Sequence, residues 1–148
     1  FYNSFLPPVR FVFVHHQIPG IEKKECPSIT FQEAFEYIEQ NGTGSAMFVD
    51  TRTPKEYDEA HVYNAISVPI MNDYQRHVVG KTYKQVSREA AIKKGKEFFA
   101  PCIVDYIEQF EKYKSTNQMI YVYCWRGGMR SRIVVNLLRM NGHTNVIQ

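Results

Sequence analysis

The run Met119-Ile120-Tyr121-Val122-Tyr123 carries the strongest strand signal in the chain, and it passes without a linker into Cys124-Trp125-Arg126-Gly127-Gly128-Met129-Arg130. A helical pattern follows from about Ser131 to Met140 and stops at Asn141-Gly142. A buried strand that turns into a helix through two glycines admits few folds, and it places Cys124 where backbone N–H groups converge at a helix N-terminus.

The rest of the chain agrees with that start. Thr30-Phe31-Gln32-Glu33 is a capping box, and Phe31, Ala34, Phe35 and Ile38 follow at helical spacing until Asn41-Gly42. Ala46-Met47-Phe48-Val49 reads as a buried strand ending on Asp50-Thr51-Arg52-Thr53-Pro54, where Thr53 caps a short helix through Glu59. Ile66 to Ile70 is a further short apolar run, closed by Pro69 and the Asn72-Asp73 turn. From Asp73 to Lys114 the pattern predicts two or three helices, with breaks at Gly80, Gly95 and Pro101. Strands alternating with helices imply an α/β fold with a parallel sheet, helices on both faces, and functional residues beyond the carboxyl ends of the strands. Asp50 and Cys124 both fall there. Phe11-Val12-Phe13-Val14 has the character of a short edge strand, but residues 1–30 otherwise match no assignable element, so the predicted domain spans 31–148.

The chemistry of the loop follows from its residue types. Gly127 and Gly128 let the backbone fold tightly enough to turn several N–H groups inward, while Arg126 and Arg130 add positive charge, so a thiolate, persulfide, perselenide or oxyanion suits the site. The plainer reading makes Cys124 a buried strand-end thiol and the glycines a turn. Strand, cysteine, glycines, arginines and helix coincide here, and that conjunction favours the reactive reading. Cys26 and Cys102 each stand beside a proline and outside any such loop, which reads as structural. His15-His16 lacks partners at ligand spacing, so no metal site is expected.

Asp50-Thr51-Arg52 with Glu56 reads alone as a surface ion-pair set, and His61 alone as a turn histidine. Taken in order, however, Asp50-x-Arg52, Glu56-Tyr57, Ala60-His61-Val62, Ala65-Ile66 and Pro69 resemble the first half of rhodanese domains, and the Cys124 loop resembles the second half. The match narrows at Pro69-Ile70-Met71-Asn72-Asp73, Val79-Gly80, Tyr83-Lys84-Gln85 and Cys124 through Ser131. These residues are similar to the N-terminal rhodanese domain of the tRNA 2-selenouridine synthases. Asn64 departs from that pattern, standing where the family commonly has glycine.

The resemblance implies a rhodanese-like fold with a central parallel sheet of about five strands. It implies a sulfur or selenium transferase in which Cys124 carries the chalcogen, with Trp125, Arg126, Gly127, Gly128, Met129, Arg130 and Ser131 as the anion- and substrate-binding loop. Asp50, Arg52, Glu56 and His61 would support it. The parent reaction replaces sulfur by selenium in 2-thiouridine at the tRNA wobble position, with selenophosphate as the donor substrate and no cofactor in this domain. A P-loop domain follows the rhodanese domain in that family. No Gly-x-x-x-x-Gly-Lys-Ser/Thr occurs here, so this chain is expected to be the N-terminal part of a longer polypeptide.

Two other function classes fit parts of the sequence. Cys124 to Arg130 is a Cys-x5-Arg spacing, shared with cysteine-dependent phosphatases and arsenate reductases. Against these, Tyr123 stands where such phosphatases usually have histidine, and the loop has no Asp or Glu to serve as a general acid. The other class is a non-catalytic binding module of the rhodanese type, which the presence of Cys124 disfavours. Partners are read less directly. With 18 basic and 15 acidic residues the net charge of +3 is too small to imply nucleic acid by itself. The local cluster Arg76, His77, Lys81, Lys84, Arg88, Lys93, Lys94 and Lys96 suits either a tRNA contact or a solvated helix face balanced by Glu89 and Glu97. Three cysteines without paired spacing point to a reducing, cytoplasmic setting, and no run is apolar enough to span a membrane.

Overall fold

The computed structural model describes residues 23–114, 116–125 and 128–148; the predicted strand at Phe11–Val14 lies outside them. Four parallel strands, β1 (Ala46–Asp50), β2 (Ile66–Ser67), β3 (Met119–Tyr123) and β4 (Val146–Ile147), lie in the order β2-β1-β3-β4. The central pair is in register from Ala46 opposite Met119 to Asp50 opposite Tyr123, so the two polar-ending strands finish side by side. The helices are α1 (Phe31–Asn41), α2 (Pro54–Glu59), α3 (Asp73–Gln85), α4 (Arg88–Phe99), α5 (Ile103–Glu108) and α6 (Met129–Met140).

Alternation along the strands divides the core in two. Ala46, Phe48 and Tyr121 pack with Ala34 of α1 on one face, while Val49, Ile120 and Val122 pack on the other against Phe99 of α4, Ile103 and Tyr106 of α5, and Val134 and Leu138 of α6. Helices therefore cover both faces, as expected for a parallel sheet. Side chains that disappear completely on the second face, such as Ile120, Leu137 and Leu138, each contribute about 1.5–3 kcal/mol of apolar burial.

Three expectations are corrected. The sheet has four strands among the described residues instead of about five. The edge beyond β4 is taken by irregular chain, with the Gln148 N–H donating to Pro27 O at 2.9 Å and the Ile29 N–H to Gln148 O at 2.9 Å. The 66–70 run is a two-residue strand that then bends away. Gly80 and Gly95 do not break helices: α3 and α4 run through them, and the chain turns at Val86–Ser87, where the Ser87 hydroxyl accepts the Ala90 N–H. A mid-helix glycine costs only about 1 kcal/mol, less than the Asn72 capping box and the burial of Ala91 and Phe99 return. At Pro101 the expected break is real, for a 3-10 turn spans Ala100–Cys102.

Candidate active site

Parallel pairing of β1 with β3 brings two loops together at the carboxyl edge of the sheet. One begins at Asp50. The other begins at Cys124 and enters α6 through Gly128, whose φ of 61° is left-handed and whose missing Cβ leaves room for the Gln148 amide. The Gly128 N–H closes a turn on Trp125 O at 3.1 Å, and the Arg132 N–H donates to Gly128 O at 2.8 Å. The helix thus starts at Met129, two residues before the sequence pattern suggests, and the N–H groups of its first turn lie beyond the reach of intrahelical partners. Arg126 and Gly127 lie outside the described residues.

Cys124 is half-buried, and among the described residues its Sγ has two near neighbours: Trp125 O at 3.3 Å and Ser131 Oγ at 3.3 Å. The carbonyl can only accept, so it suits the thiol. The Ser131 hydroxyl can donate, so it suits the ionised sulfur.

The first loop is fixed by a buried ion pair. Asp50 is fully buried, and Arg52 clasps it through Nε at 3.0 Å and Nη2 at 2.7 Å, with the Arg52 N–H adding a bond of 2.9 Å. Arg52 Nη2 also donates to Ala60 O. The hydrogen bonds it donates to Asp50 hold the Arg52 guanidinium above its ordinary value despite its burial. Its flat face lies 5.7 Å from the Tyr123 ring and 6.0 Å from the exposed Trp125 ring, so this pair is the floor beneath the loop aromatics. Burial and the nearby Asp50 push the Tyr123 hydroxyl up to about 12, although it accepts the Val62 N–H at 3.1 Å.

A second ion pair closes the site from above. Arg130 holds Glu56 in a two-pronged contact at 2.7 and 3.0 Å, joining α2 to the first turn of α6. Burial works against the Glu56 charge, but Arg130 and the Thr53 N–H outweigh it and hold the carboxyl at about 2. Arg130 is therefore committed to Glu56 and does not stand as a free cation over the sulfur. His61 is exposed, stacked on Tyr57 at 3.7 Å with its Nδ1 2.7 Å from Tyr57 O, and it is not among the described residues lining the clefts beside Cys124.

Cys124 and Trp125 separate two clefts. The larger, about 430 Å³, runs between α3, α4 and α6 over an apolar floor that includes Met71, Val79, Ile92, Phe99 and Ile133. Arg76, Lys84 and Arg88 from the basic cluster reach its rim, whereas Lys94 turns to Glu97 at 3.1 Å. The smaller, about 280 Å³, lies on the α1 face against Phe31, Phe48, Tyr121 and Tyr123, and among the described residues no charged side chain lines it. Exposed Cys102 stands in the 3-10 turn after α4, and Cys26 packs half-buried against the core.

One participant was not legible in the sequence. The Gln148 side chain donates from Nε2 to Gly128 O at 2.6 Å and to Ser131 Oγ at 2.7 Å, and its Oε1 accepts from Cys26 Sγ at 3.2 Å. No local motif marks it. Its signal is topological, since β4 lies beside β3 and its end reaches the loop that leaves β3.

Comparison with known proteins agrees with this geometry. The family model described as the rhodanese-like domain matches residues 33–148. The tRNA 2-selenouridine synthase of Nitrosomonas europaea is 37% identical over 95 residues, which make up 64% of this chain and 25% of that protein. The enzyme of the same name from Pseudomonas aeruginosa LESB58 is 35% identical over 94 residues, 63% of this chain and 26% of its own. The chain spans about a quarter of the length of these curated relatives. Among solved structures, the N-terminal domain of a protein assigned as ATP/GTP binding from Clostridium difficile 630 is 35% identical, with a TM-score of 0.72 over 82% of this chain and 88% of that one.

Proposed function

Because the chain belongs to the rhodanese-like domain family, we propose that it is the chalcogen-carrying domain of a tRNA 2-selenouridine synthase, with Cys124 as the carrier. The observation that carries this reading is the position of Cys124: half-buried at the carboxyl end of β3, before the first turn of α6, and opening on a cleft with a basic rim. An anionic donor such as selenophosphate suits that cleft. With a sulfane donor such as thiosulfate, the thiolate attacks the outer sulfur, the bond between the two sulfurs breaks, and the oxyanion leaves with the electron pair. With thiosulfate the products are a Cys124 persulfide and sulfite. Asp50 and Arg52 hold the loop aromatics, and the pairing of Glu56 with Arg130 ties α2 to the loop.

The cluster on α3 and α4 is the surface for tRNA phosphates, since Arg76, Lys84 and Arg88 flank the cleft that leads to the sulfur. The relatives are about four times as long as the matched segment, and the protein of the structural neighbour is assigned as ATP/GTP binding, which supports a P-loop domain in the same polypeptide. The free thiols Cys26, Cys102 and Cys124 fit the cytoplasm. Tyr123 stands where such phosphatases usually have histidine, and no Asp or Glu lies between Cys124 and Arg130 to serve as a local general acid, which favours chalcogen transfer over a phosphatase.

Incubation with thiosulfate followed by intact mass is the test. Cys124 should gain about 32 Da, the Cys124→Ser variant nothing, and p-nitrophenyl phosphate should remain unhydrolysed. Phosphatase turnover that vanishes in Cys124→Ser, with no adduct on the parent, would reverse the reading.

A further inference from the structure

A continuous set of hydrogen bonds runs from the core-packed Cys26 to the reactive sulfur. Cys26 Sγ reaches Gln148 Oε1 at 3.2 Å, Gln148 Nε2 reaches Ser131 Oγ at 2.7 Å, and Ser131 Oγ lies 3.3 Å from Cys124 Sγ. Resting on the reading of Cys124 as the nucleophile, we propose that Gln148 is a positioning residue: it compels the Ser131 hydroxyl to donate its proton to the ionised Cys124 sulfur.

The direction of each bond is fixed by what the groups can do. Gly128 O only accepts, so the atom of Gln148 that sits 2.6 Å from it is the amide nitrogen. The amide oxygen then faces Cys26, whose thiol burial holds above its ordinary value, with Arg132 and Arg139 offsetting only in part, so a proton is there to donate. One Gln148 N–H goes to Gly128 O and the other to Ser131 Oγ. Ser131 now accepts from Gln148, and its own proton has two acceptors within reach, Gly128 O at 3.1 Å and Cys124 Sγ at 3.3 Å. Gly128 O is already engaged by Gln148, and an anionic sulfur is the stronger acceptor. The proton therefore turns to the sulfur. Without the Gln148 amide, Gly128 O keeps only the Arg132 N–H and competes with the sulfur for the Ser131 proton.

Gln148 holds the loop by the same contacts, since only a residue without Cβ fits at Gly128 beside its amide. A purely structural role would be served by that packing. The proposed role needs the amide N–H groups, and Gln148→Met removes them while keeping length and volume.

The test is the rate of Cys124 alkylation by iodoacetamide against pH, read by peptide mapping so that Cys26 and Cys102 are scored separately. Losing one charge-assisted hydrogen bond should slow Gln148→Met about tenfold at neutral pH and move the midpoint of the profile up by about one unit, with the high-pH plateau unchanged. Cys26→Ser, which keeps a donor to Oε1, should follow the parent. Among the described residues, the other charges about the sulfur are untouched by these variants: Arg130, Arg88, Lys84, Arg76 and Lys96 line the cleft, and Asp50 and Glu56 are paired with Arg52 and Arg130. On a Ser131→Ala background the Gln148→Met change should have no further effect. An equal shift on both backgrounds, or a general rise in labelling of all three cysteines, would reduce Gln148 to packing and overturn the proposal. Alkylation does not require chalcogen uptake, so a parent that takes up no sulfur yet shows the linked shift would remove the proposed function and leave this inference standing.

Discussion

Two ion pairs flank the Cys124 loop, and they are built in opposite ways. Asp50 and Arg52 are two residues apart at the end of β1, with side chains 0% and 9% exposed. Glu56 and Arg130 are 74 residues apart and join α2 to α6, with Glu56 27% exposed. Removing two charges from water costs several kcal/mol per ion, which their attraction and added hydrogen bonds must offset, so the inner pair contributes geometry more than net stability. Its guanidinium plane sets where Tyr123 and Trp125 lie. The outer pair keeps contact with solvent, loses less on desolvation, and connects the two halves of the site. A local buried pair shapes a surface; a distant half-exposed pair closes a loop of chain.

The largest effect should come from breaking the inner pair one-sidedly. Asp50→Asn leaves the Arg52 charge buried against a neutral amide, which costs about 3–5 kcal/mol and lowers the melting temperature by about 10 °C for a chain of this size. Thermal unfolding followed by circular dichroism decides it. A loss below about 1 kcal/mol would mean that the inner pair is no more than a surface contact.

The outer pair should be weaker and pH-dependent. The Glu56 carboxyl is held at about 2 in the folded protein, below the ordinary carboxylate range, so its stabilisation is fully present above about pH 4.5 and is lost as pH falls toward 2. Allowing for solvent screening, Glu56→Gln should cost about 1–2 kcal/mol at pH 7. The difference between parent and variant should shrink through that acidic window, and urea titrations at pH 7, 4 and 2.5 would follow it. A difference that stays constant with pH would assign the loss to packing.

How much of this was legible in the sequence follows the same division between local and distant. Thr30 with Glu33, and Thr53 opening α2, were readable as caps because their partners lie three residues away. Cys124 was readable because strand, glycines and helix are contiguous, and Asp50 beside Arg52 because the pair is formed within a turn. The contact between Glu56 and Arg130 was not readable as a contact, although both residues were singled out, because only the parallel order of β1 and β3 brings them together. Gln148 was invisible for the same reason. Gly80 and Gly95 misled in the other direction: their local propensity is unfavourable, but burial of Ala91 and Phe99 and the space that Gly80 leaves for the Arg76 side chain come from tertiary structure.

The smallest effect separates charge from shape at the outer pair. Arg130→Lys keeps the positive charge beside Glu56 but replaces a planar fork, which meets both carboxylate oxygens at 2.7 and 3.0 Å, by a single ammonium that meets one. If Coulomb attraction alone joined α2 to α6, the lysine would be neutral in effect. Because the two-pronged geometry fixes the angle between the helices as well as their distance, Arg130→Lys should cost about 0.5–1 kcal/mol, less than Glu56→Gln. Raising the salt concentration should narrow the gap between the parent and Glu56→Gln, since the half-exposed pair is screened, and should leave the loss in Asp50→Asn nearly unchanged. Chemical denaturation with urea, which adds no ions, at low and high sodium chloride measures all three. A loss in Asp50→Asn that is as salt-sensitive as that in Glu56→Gln would show that solvent reaches both pairs alike, and the contrast between an inner, shape-setting pair and an outer, connecting pair would fall.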